Sequence, residues 1–267
     1  MATTKSLGQK DSFDKFYTVS EVAQYCISLV GDLSKFDLIV EPSAGNGAFS
    51  NLLPEDTVAI DIAPENEAIE EKDFFDYQPE GKHILVIGNP PFGQQATSAI
   101  SFFNHAAEFA EVIAFILPRS FRKNSIQNRL SLNFILEKDE LLPKNAFLLN
   151  GKPCDVPCVF QIWRRSIRPR QKVKLKTTSE YIKFTSNPAE ADFRIQRVGG
   201  NAGKLFEDKN GATASNHYII NTSKFSTPEL IEICKSLSYP SIEDTVGPKS
   251  LPKSELVEVL EEKIKSM

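Results

Sequence analysis

The chain has 267 residues, 41% of them apolar and 25% charged, with a formal net charge of −4. That is ordinary globular composition, enough for one large α/β domain and a smaller appendage, and it excludes low-complexity and fibrous classes. No apolar run approaches the roughly 20 residues needed to span a bilayer. The polar stretch from Met1 to Asp14 lacks the apolar segment of a signal peptide, and four cysteines in so long a chain make no disulfide framework. The expected setting is a reducing one: the cytoplasm of a prokaryotic or virus-infected cell, or a nucleus.

In chain order, Thr18-Val-Ser-Glu21 reads as a capping box. Behind it Val22, Cys26, Ile27 and Val30 recur at helical spacing, which predicts a helix over Ser20 to Val30. Short apolar strands are predicted at Leu38–Glu41, Val58–Asp61, Ile84–Gly88, Val112–Leu117, Ala146–Leu149 and Cys158–Trp163. Helical segments fit at Thr97 to Phe109 and Ser125 to Leu136. Such alternation implies a mainly parallel sheet covered on both faces, with ligands at the carboxyl ends of its strands.

Past Trp163 the character changes. Val173 and Leu175 alternate with Lys172, Lys174 and Lys176, and Phe193 and Ile195 with Arg194 and Gln196, as in short half-exposed strands. Gly199 to Gly203 reads as a flexible turn. Ser226-Thr-Pro-Glu229 opens a capped helix, and a last helix carries Leu256, Leu260 and Ile264 in register. A boundary near Arg165 divides residues 1–165 from a small, basic, strand-rich α+β region, 166–267, that ends in helices.

The chemistry concentrates in the first region. Glu41-Pro42-Ser43-Ala44-Gly45-Asn46-Gly47 follows a strand, and its glycines let the backbone approach a ligand closely. Glu41 at the strand end suits a cationic or polyhydroxyl ligand better than a pyrophosphate. Asp61, with Ile62 after it, ends the next strand about twenty residues on, where a carboxylate commonly takes ribose hydroxyls. Asp73-Phe74 could hold the edge and face of an adenine. Asn89-Pro90-Pro91-Phe92 then caps a buried strand. The prolines cannot donate to a ladder and fix a rigid turn. The turn offers the Asn89 amide oxygen and the Pro90 carbonyl as convergent acceptors, with Phe92 as an exposed stacking surface. That arrangement suits a planar ring with an exocyclic amine, such as a base taken out of its stack.

The negative total charge argues mildly against nonspecific nucleic-acid binding, but patches matter more than totals. Arg119, Arg122 and Lys123 form one basic cluster. Arg164, Arg165, Arg168, Arg170, Lys172, Lys174 and Lys176 form a longer run, readable as a phosphate-contacting strip or as a solvated strand and linker. Arg119 and Arg122 could contact a substrate backbone or simply solvate a helix start. Asn201 and Lys204 are weaker contact candidates. Pro153-Cys154 and Pro157-Cys158 arrive too late in the chain to serve as a catalytic thiol. The cysteines and His83, His105 and His217 lack ligand spacing, so no metal is expected.

In this order the motifs resemble those of S-adenosylmethionine-dependent adenine-N6 DNA methyltransferases of the gamma arrangement. The resemblance runs from about Phe13 to Trp163. It rests on Phe16-Tyr17-Thr18 before the first helix, the Glu41 to Gly47 loop and the Asn89 to Phe92 tetrapeptide. It implies a Rossmann-like α/β methyltransferase domain that binds S-adenosylmethionine, with Tyr17 and Thr18 also at the cofactor. It also implies direct transfer of a methyl group to the N6 amine of a flipped adenine, with Phe92 stacked on the base. No recognition domain fits between Asp73 and Asn89, so recognition falls to the C-terminal region, which reads a short site, relies on shape or uses a second subunit. DNA is the favoured polymer. RNA adenine, a protein glutamine and a catalytically silent nucleic-acid-binding subunit are the alternatives. A second stacking aromatic cannot be assigned, since Asp155-Val-Pro-Cys158 has none at the matching place.

Overall fold

Strands that are apolar on both faces need cover on both faces, and the first half of the chain supplies it. The computed structural model describes Phe16 to Met267 except Val246. Helix α1 is Ser20–Val30 and α2 is Thr97–Phe109. The strands are β1 Leu38–Glu41, β2 Val58–Asp61, β3 Glu70–Glu71, β4 Ile84–Gly88, β5 Val112–Pro118, β6 Phe134–Leu141 and β7 Cys158–Arg165. They form one sheet in the order β3-β2-β1-β4-β5-β7-β6. The pairings from β3 across to β5 are all parallel, while β7 runs antiparallel to both β5 and β6. This is the mainly parallel, Rossmann-like α/β sheet expected from the sequence. Strands β4 and β5 are buried at every residue, as a sheet covered on both sides requires.

Three local expectations are corrected. Thr18 does not cap α1: the N-cap is Val19, without a side-chain bond. Tyr17 and Thr18 instead pair with Leu148 and Phe147, so strand pairing overrides the local capping signal. The predicted helix over Ser125 to Leu136 shrinks to α3, Asn124–Gln127, and the chain enters β6 at Phe134. The outer edge of β7 needs a partner, and Phe134 is fully buried against Phe103. The strand predicted at Ala146–Leu149 forms over Phe147–Leu149. It lies outside the wound sheet, in a three-stranded antiparallel sheet between Tyr17–Thr18 and Lys152–Cys154.

The described chain folds as two units. One comprises residues up to Pro118 together with Asn128–Gln171, and the other comprises Arg119–Gln127 with Lys172–Met267. In the second unit β8 Ile182–Thr185, β9 Phe193–Gln196, β10 Leu205–Phe206 and β11 Asn216–Asn221 form an antiparallel sheet in the order β8-β11-β9-β10. Helices α4 Thr227–Lys235 and α5 Lys253–Lys265 complete its core, where Phe193, Ile195 and Ile219 meet Leu230, Leu256 and Leu260. The capping box of Ser226 and Glu229 forms as expected. The segment 119–127 is fastened into this unit by an Arg119–Asp244 ion pair at 3.2 Å and by Lys123 Nζ donating to the Ser250 carbonyl at 3.4 Å. Two expectations fail here. Residues 172–176 take no regular secondary structure, because Val173 and Leu175 offer too little apolar area to hold an isolated strand. Arg194 is buried, held by Asp208 at 3.0 Å and by the Asn216 amide oxygen at 2.8 Å. Among the described residues no helix is long and apolar enough to cross a membrane.

Two substitutions check these assignments by chemical denaturation. Phe134→Ala is expected to cost about 3–5 kcal/mol, as for a large buried aromatic, whereas a position on an exposed helix would lose far less. Ser226→Ala is expected to remove about 1 kcal/mol by deleting the α4 cap.

Candidate active site

Parallel pairing sets the site. Val40 lies opposite Val86, so β1 and β4 end side by side and bring Glu41 next to the turn that starts at Asn89. The approach is close: a Cβ at Gly88 would sit 3.3 Å from Cγ of Glu41, which favours glycine at that strand end. A cavity of about 470 Å³ opens at this edge, inside the roughly 300–1,000 Å³ range of small-molecule sites.

Most residues singled out from the sequence line that cavity: Tyr17, Thr18, Glu41, Pro42, Ser43, Ala44, Gly45, Asp61, Ile62, Asp73, Phe74 and all of Asn89 to Phe92. Gly47 does not. Its φ of +91° turns the loop, and a side chain there would meet the Asn51 amide at 2.9 Å. Gly45, with φ +54°, donates its N–H to Asp61 Oδ2 at 2.8 Å, and Oδ1 of the same carboxylate accepts from the Ala63 N–H at 2.8 Å. Asp61 therefore ties the glycine loop to the end of β2. Each carboxylate oxygen retains capacity for a second donor such as a hydroxyl.

Glu41 is 2% exposed, and its Oε2 has no partner among the described residues. Burial pushes its carboxyl up to about 8, against backbone donation from Ser50 and Phe49. Asn89 is the complementary case. Its Nδ2 donates to the Phe16 carbonyl at 3.0 Å, the Ser43 hydroxyl donates to its main-chain carbonyl at 3.2 Å, and its Oδ1 is buried without a donor. An orphaned buried polar atom costs roughly 1–3 kcal/mol, so three of them at one cavity, with Thr18 Oγ1 the third, mark a site built for a ligand that brings hydrogen-bond partners.

The aromatic expectations need revision. Phe92 is only 5% exposed and belongs to the core with Ala114 and Phe160, so it borders the cavity rather than standing out as a plate. Phe74 is likewise buried, stacked on Phe102 at 5.2 Å with the His105 ring edge-on at 4.7 Å. The Asp73 carboxylate accepts from the Phe75 N–H at 2.9 Å, fixing the turn that carries both rings. The ring left in the open is Phe75, 45% exposed and lining the cavity. Sequence reasoning missed it, although the doubled aromatic of Asp73-Phe-Phe-Asp76 was a visible signal. It also missed Glu65, whose N–H donates to the Gly45 carbonyl at 2.9 Å and whose carboxylate accepts the Tyr17 hydroxyl. Beyond Phe92, Gln95 and Ala96 both take left-handed conformations, φ +52° and +61°. Two such residues in a row cost on the order of 1 kcal/mol each, in the loop that leads to Thr97, Ser98 and Ser101 on the cavity wall.

The basic candidates are dispersed, and none lines the cavity. Arg164 pairs with Glu111 at 3.1 Å and Glu137 at 3.2 Å. Arg165 donates to the carbonyls of Ala107 and Ala110. Arg170 donates to those of Phe134 and Leu130 and lies over the Trp163 ring. Arg168 is exposed, with its backbone turned by the Ser166 hydroxyl. Arg119 faces Asp244, Arg122 closes the same 3₁₀ turn, and the half-buried Lys123 ammonium is lowered by desolvation. Cys158 is buried at 2% exposure and its thiol is pushed well up by desolvation, the opposite of an activated nucleophile.

Residues 33–157, just short of half the chain, match the family model described as the EDM2 methyltransferase-like domain. No curated protein matches the chain. Similar solved structures include a Pyrococcus horikoshii protein described as an RNA methyltransferase, PH1948 (TM-score 0.46, 17% identity, 61% of this chain and 93% of that one). Another is the 23S rRNA methyltransferase ErmE (TM-score 0.43, 14% identity, 57% and 71%). A third is a Streptococcus thermophilus protein described as a hemolysin (TM-score 0.36, 13% identity, 62% and 72%). The cavity thus lies largely within a methyltransferase-like stretch of the chain, and S-adenosylmethionine is the cofactor that such a domain takes.

Proposed function

We propose that the chain is an S-adenosylmethionine-dependent methyltransferase that methylates the N6 amine of an adenine held out of the stack in nucleic acid, with DNA as the polymer. The observation that carries this reading is the unsatisfied Oδ1 of Asn89 at the cavity, next in sequence to Pro90. An exocyclic amine brings two N–H donors, and Asn89 Oδ1 and the Pro90 carbonyl are placed in sequence to accept them. DNA is preferred because the cofactor loop precedes the Asn-Pro-Pro-Phe turn and a separate C-terminal unit follows, as in the DNA enzymes of this motif order.

When bound, S-adenosylmethionine supplies an electrophilic methyl group on a sulfonium centre. Glu41 would face the cofactor's ammonium group, and Asp61 its ribose hydroxyls. The exposed rim formed by Ile62 and Phe75 offers apolar surface for a flat ring. Asn89 and Pro90 draw the amine's protons toward two oxygens and so bring the nitrogen lone pair out of conjugation. The same two acceptors stabilise the positive charge that develops on nitrogen as it gains a bond to carbon. A proton then leaves that nitrogen for solvent. Holding both reactants in a near-attack pose accounts for about 7 kcal/mol or more of such a barrier. No side-chain nucleophile is needed, consistent with the inert Cys158.

The test is transfer of a radiolabelled methyl group to double-stranded DNA, single-stranded DNA and total RNA, followed by digestion to nucleosides. Label in N6-methyldeoxyadenosine is expected, and label only in N6-methyladenosine would move the substrate to RNA. No label, with cofactor binding intact, would redirect the reading to a protein carboxamide. Asn89→Ala is expected to lower kcat by about 100-fold or more, the scale of a lost transition-state acceptor, while cofactor affinity measured by calorimetry is unchanged.

Glu41 gives a pH signature. In the folded protein its carboxyl sits at about 8 instead of the ordinary 4.5, so between those values the folded chain holds a proton that the unfolded chain has lost. Stability from this group therefore falls as pH rises from about 5 to 8. An ammonium placed against Glu41 favours the carboxylate, so uptake of cofactor expels a proton and affinity rises with pH up to about 8. Glu41→Gln should flatten both trends in thermal melts and calorimetry. A wild-type affinity that does not change between pH 6 and 8 would remove Glu41 from the ammonium site.

A further inference from the structure

An asparagine amide can present either its oxygen or its NH₂ to a ligand, and only the oxygen can accept from an amine. The choice at Asn89 is made 73 residues away in sequence, at Phe16. A backbone carbonyl has no proton to give, so only the NH₂ end of the Asn89 amide can face it. We infer that the Phe16 carbonyl is a positioning group for the reaction, which fixes Oδ1 of Asn89 as the acceptor left for the substrate amine. The inference rests on the methyl-transfer reading given above and goes beyond it. It assigns the role to the backbone of Phe16, whose ring packs instead on Phe147.

The carbonyl is itself held firmly. Tyr17 and Thr18 pair with Leu148 and Phe147. The Val19 N–H donates to the Ala146 carbonyl at 3.0 Å. The Phe16 ring packs edge-on against Phe147 at 6.3 Å, and the Tyr17 hydroxyl donates to Glu65. The Tyr17 ring also lies 3.4 Å from the place a Gly45 side chain would occupy. Residues 16–18 therefore form a strap across the cofactor loop, tied at both the three-stranded sheet and Glu65. A flipped Asn89 amide would place its oxygen against the Phe16 carbonyl and its NH₂ toward the substrate amine, so both contacts would be repulsive.

Asn89→Asp separates this role from simple hydrogen-bond satisfaction. The ionised carboxylate of this variant has no donor for the Phe16 carbonyl and is repelled by it. The protonated acid can donate its O–H to that carbonyl and keep the other oxygen as acceptor. Methyl transfer is therefore measured for Asn89→Asp and wild type from pH 5 to 9. The ratio of the two rates is taken because Glu41, Asp61, Glu65 and Asp73, the carboxylates lining the cavity, are common to both. The ratio is expected to fall with rising pH, by about tenfold per unit above the new carboxyl's pKa. A ratio that is flat, or that rises because an ionised oxygen simply accepts better, overturns the inference.

The Asn89 side-chain amide of the wild-type protein, seen by residue-selective ¹⁵N labelling, gives a second readout that needs neither the variant nor activity. One proton shifted downfield and protected from exchange is expected, and two averaged, unprotected protons overturn the positioning role. Should wild type bind cofactor yet transfer nothing to any nucleic acid, the nucleic-acid reading fails, and the amide signal still decides whether the Phe16 carbonyl fixes the orientation of the Asn89 amide.

Discussion

The site depends on two adjacent parallel strands ending at the same level. Because β1 and β4 are hydrogen-bonded in parallel register, the residues that leave them, Glu41 and Asn89, emerge side by side although 48 positions apart in the chain. Parallel pairing requires long crossovers, and these crossovers carry Asp61, Asp73 and Phe75 to the same edge. An antiparallel arrangement of the same strands would have sent Glu41 and Asn89 to opposite ends of the sheet. The antiparallel β7 sits beyond β5, away from the β1–β4 seam, and carries the edge strand β6 on its far side.

That edge keeps three buried side-chain polar atoms unsatisfied among the described residues. Most buried polar groups are paired, and this chain satisfies even demanding ones: Trp163 donates to Gln161, which donates in turn to Asp139. Thr18 Oγ1, Glu41 Oε2 and Asn89 Oδ1 are exceptions, lying at one cavity of mixed apolar and acidic lining. Their cost is borne by the packing beneath, where Ile87, Ala114 and Ile116 fill the strands that carry the turn. The left-handed pair Gln95 and Ala96 adds backbone strain on the same side. Such concentrations of unfavourable local structure are expected where a ligand later supplies the missing partners.

Positive charge tells the opposite story. The run from Arg164 to Lys176 reads as a surface strip, but Arg164, Arg165 and Arg170 each take partners that are part of the fold, and Lys176 pairs with Glu261. Guanidinium groups suit this use because their planar fork reaches several carbonyls and stacks on rings at once, as Arg165 does over Phe134 and Arg170 over Trp163. A sequence run records charge but not direction, and tertiary pairing decides how much of it faces outward.

The wound sheet was legible in the sequence because its signals are local. Continuous apolar runs marked β1, β2, β4, β5 and β7, helical spacing marked α1, the stretch left between two strands marked α2, and the glycine loop and Asn-Pro-Pro-Phe turn lie at the cavity's edge. What needed tertiary structure was every property that depends on a distant partner. Thr18 left its capping role for strand pairing with Phe147, Phe134 became a strand because β7 had an open edge, and Phe92 went into the core while Phe75 stayed exposed. The orientation of the Asn89 amide belongs to the same group, since the carbonyl that sets it comes from Phe16. The sequence by itself determined which residues could do chemistry and in what order. Only the fold decided which of their atoms are left unpaired, because that is set by hydrogen bonds between residues far apart in the chain.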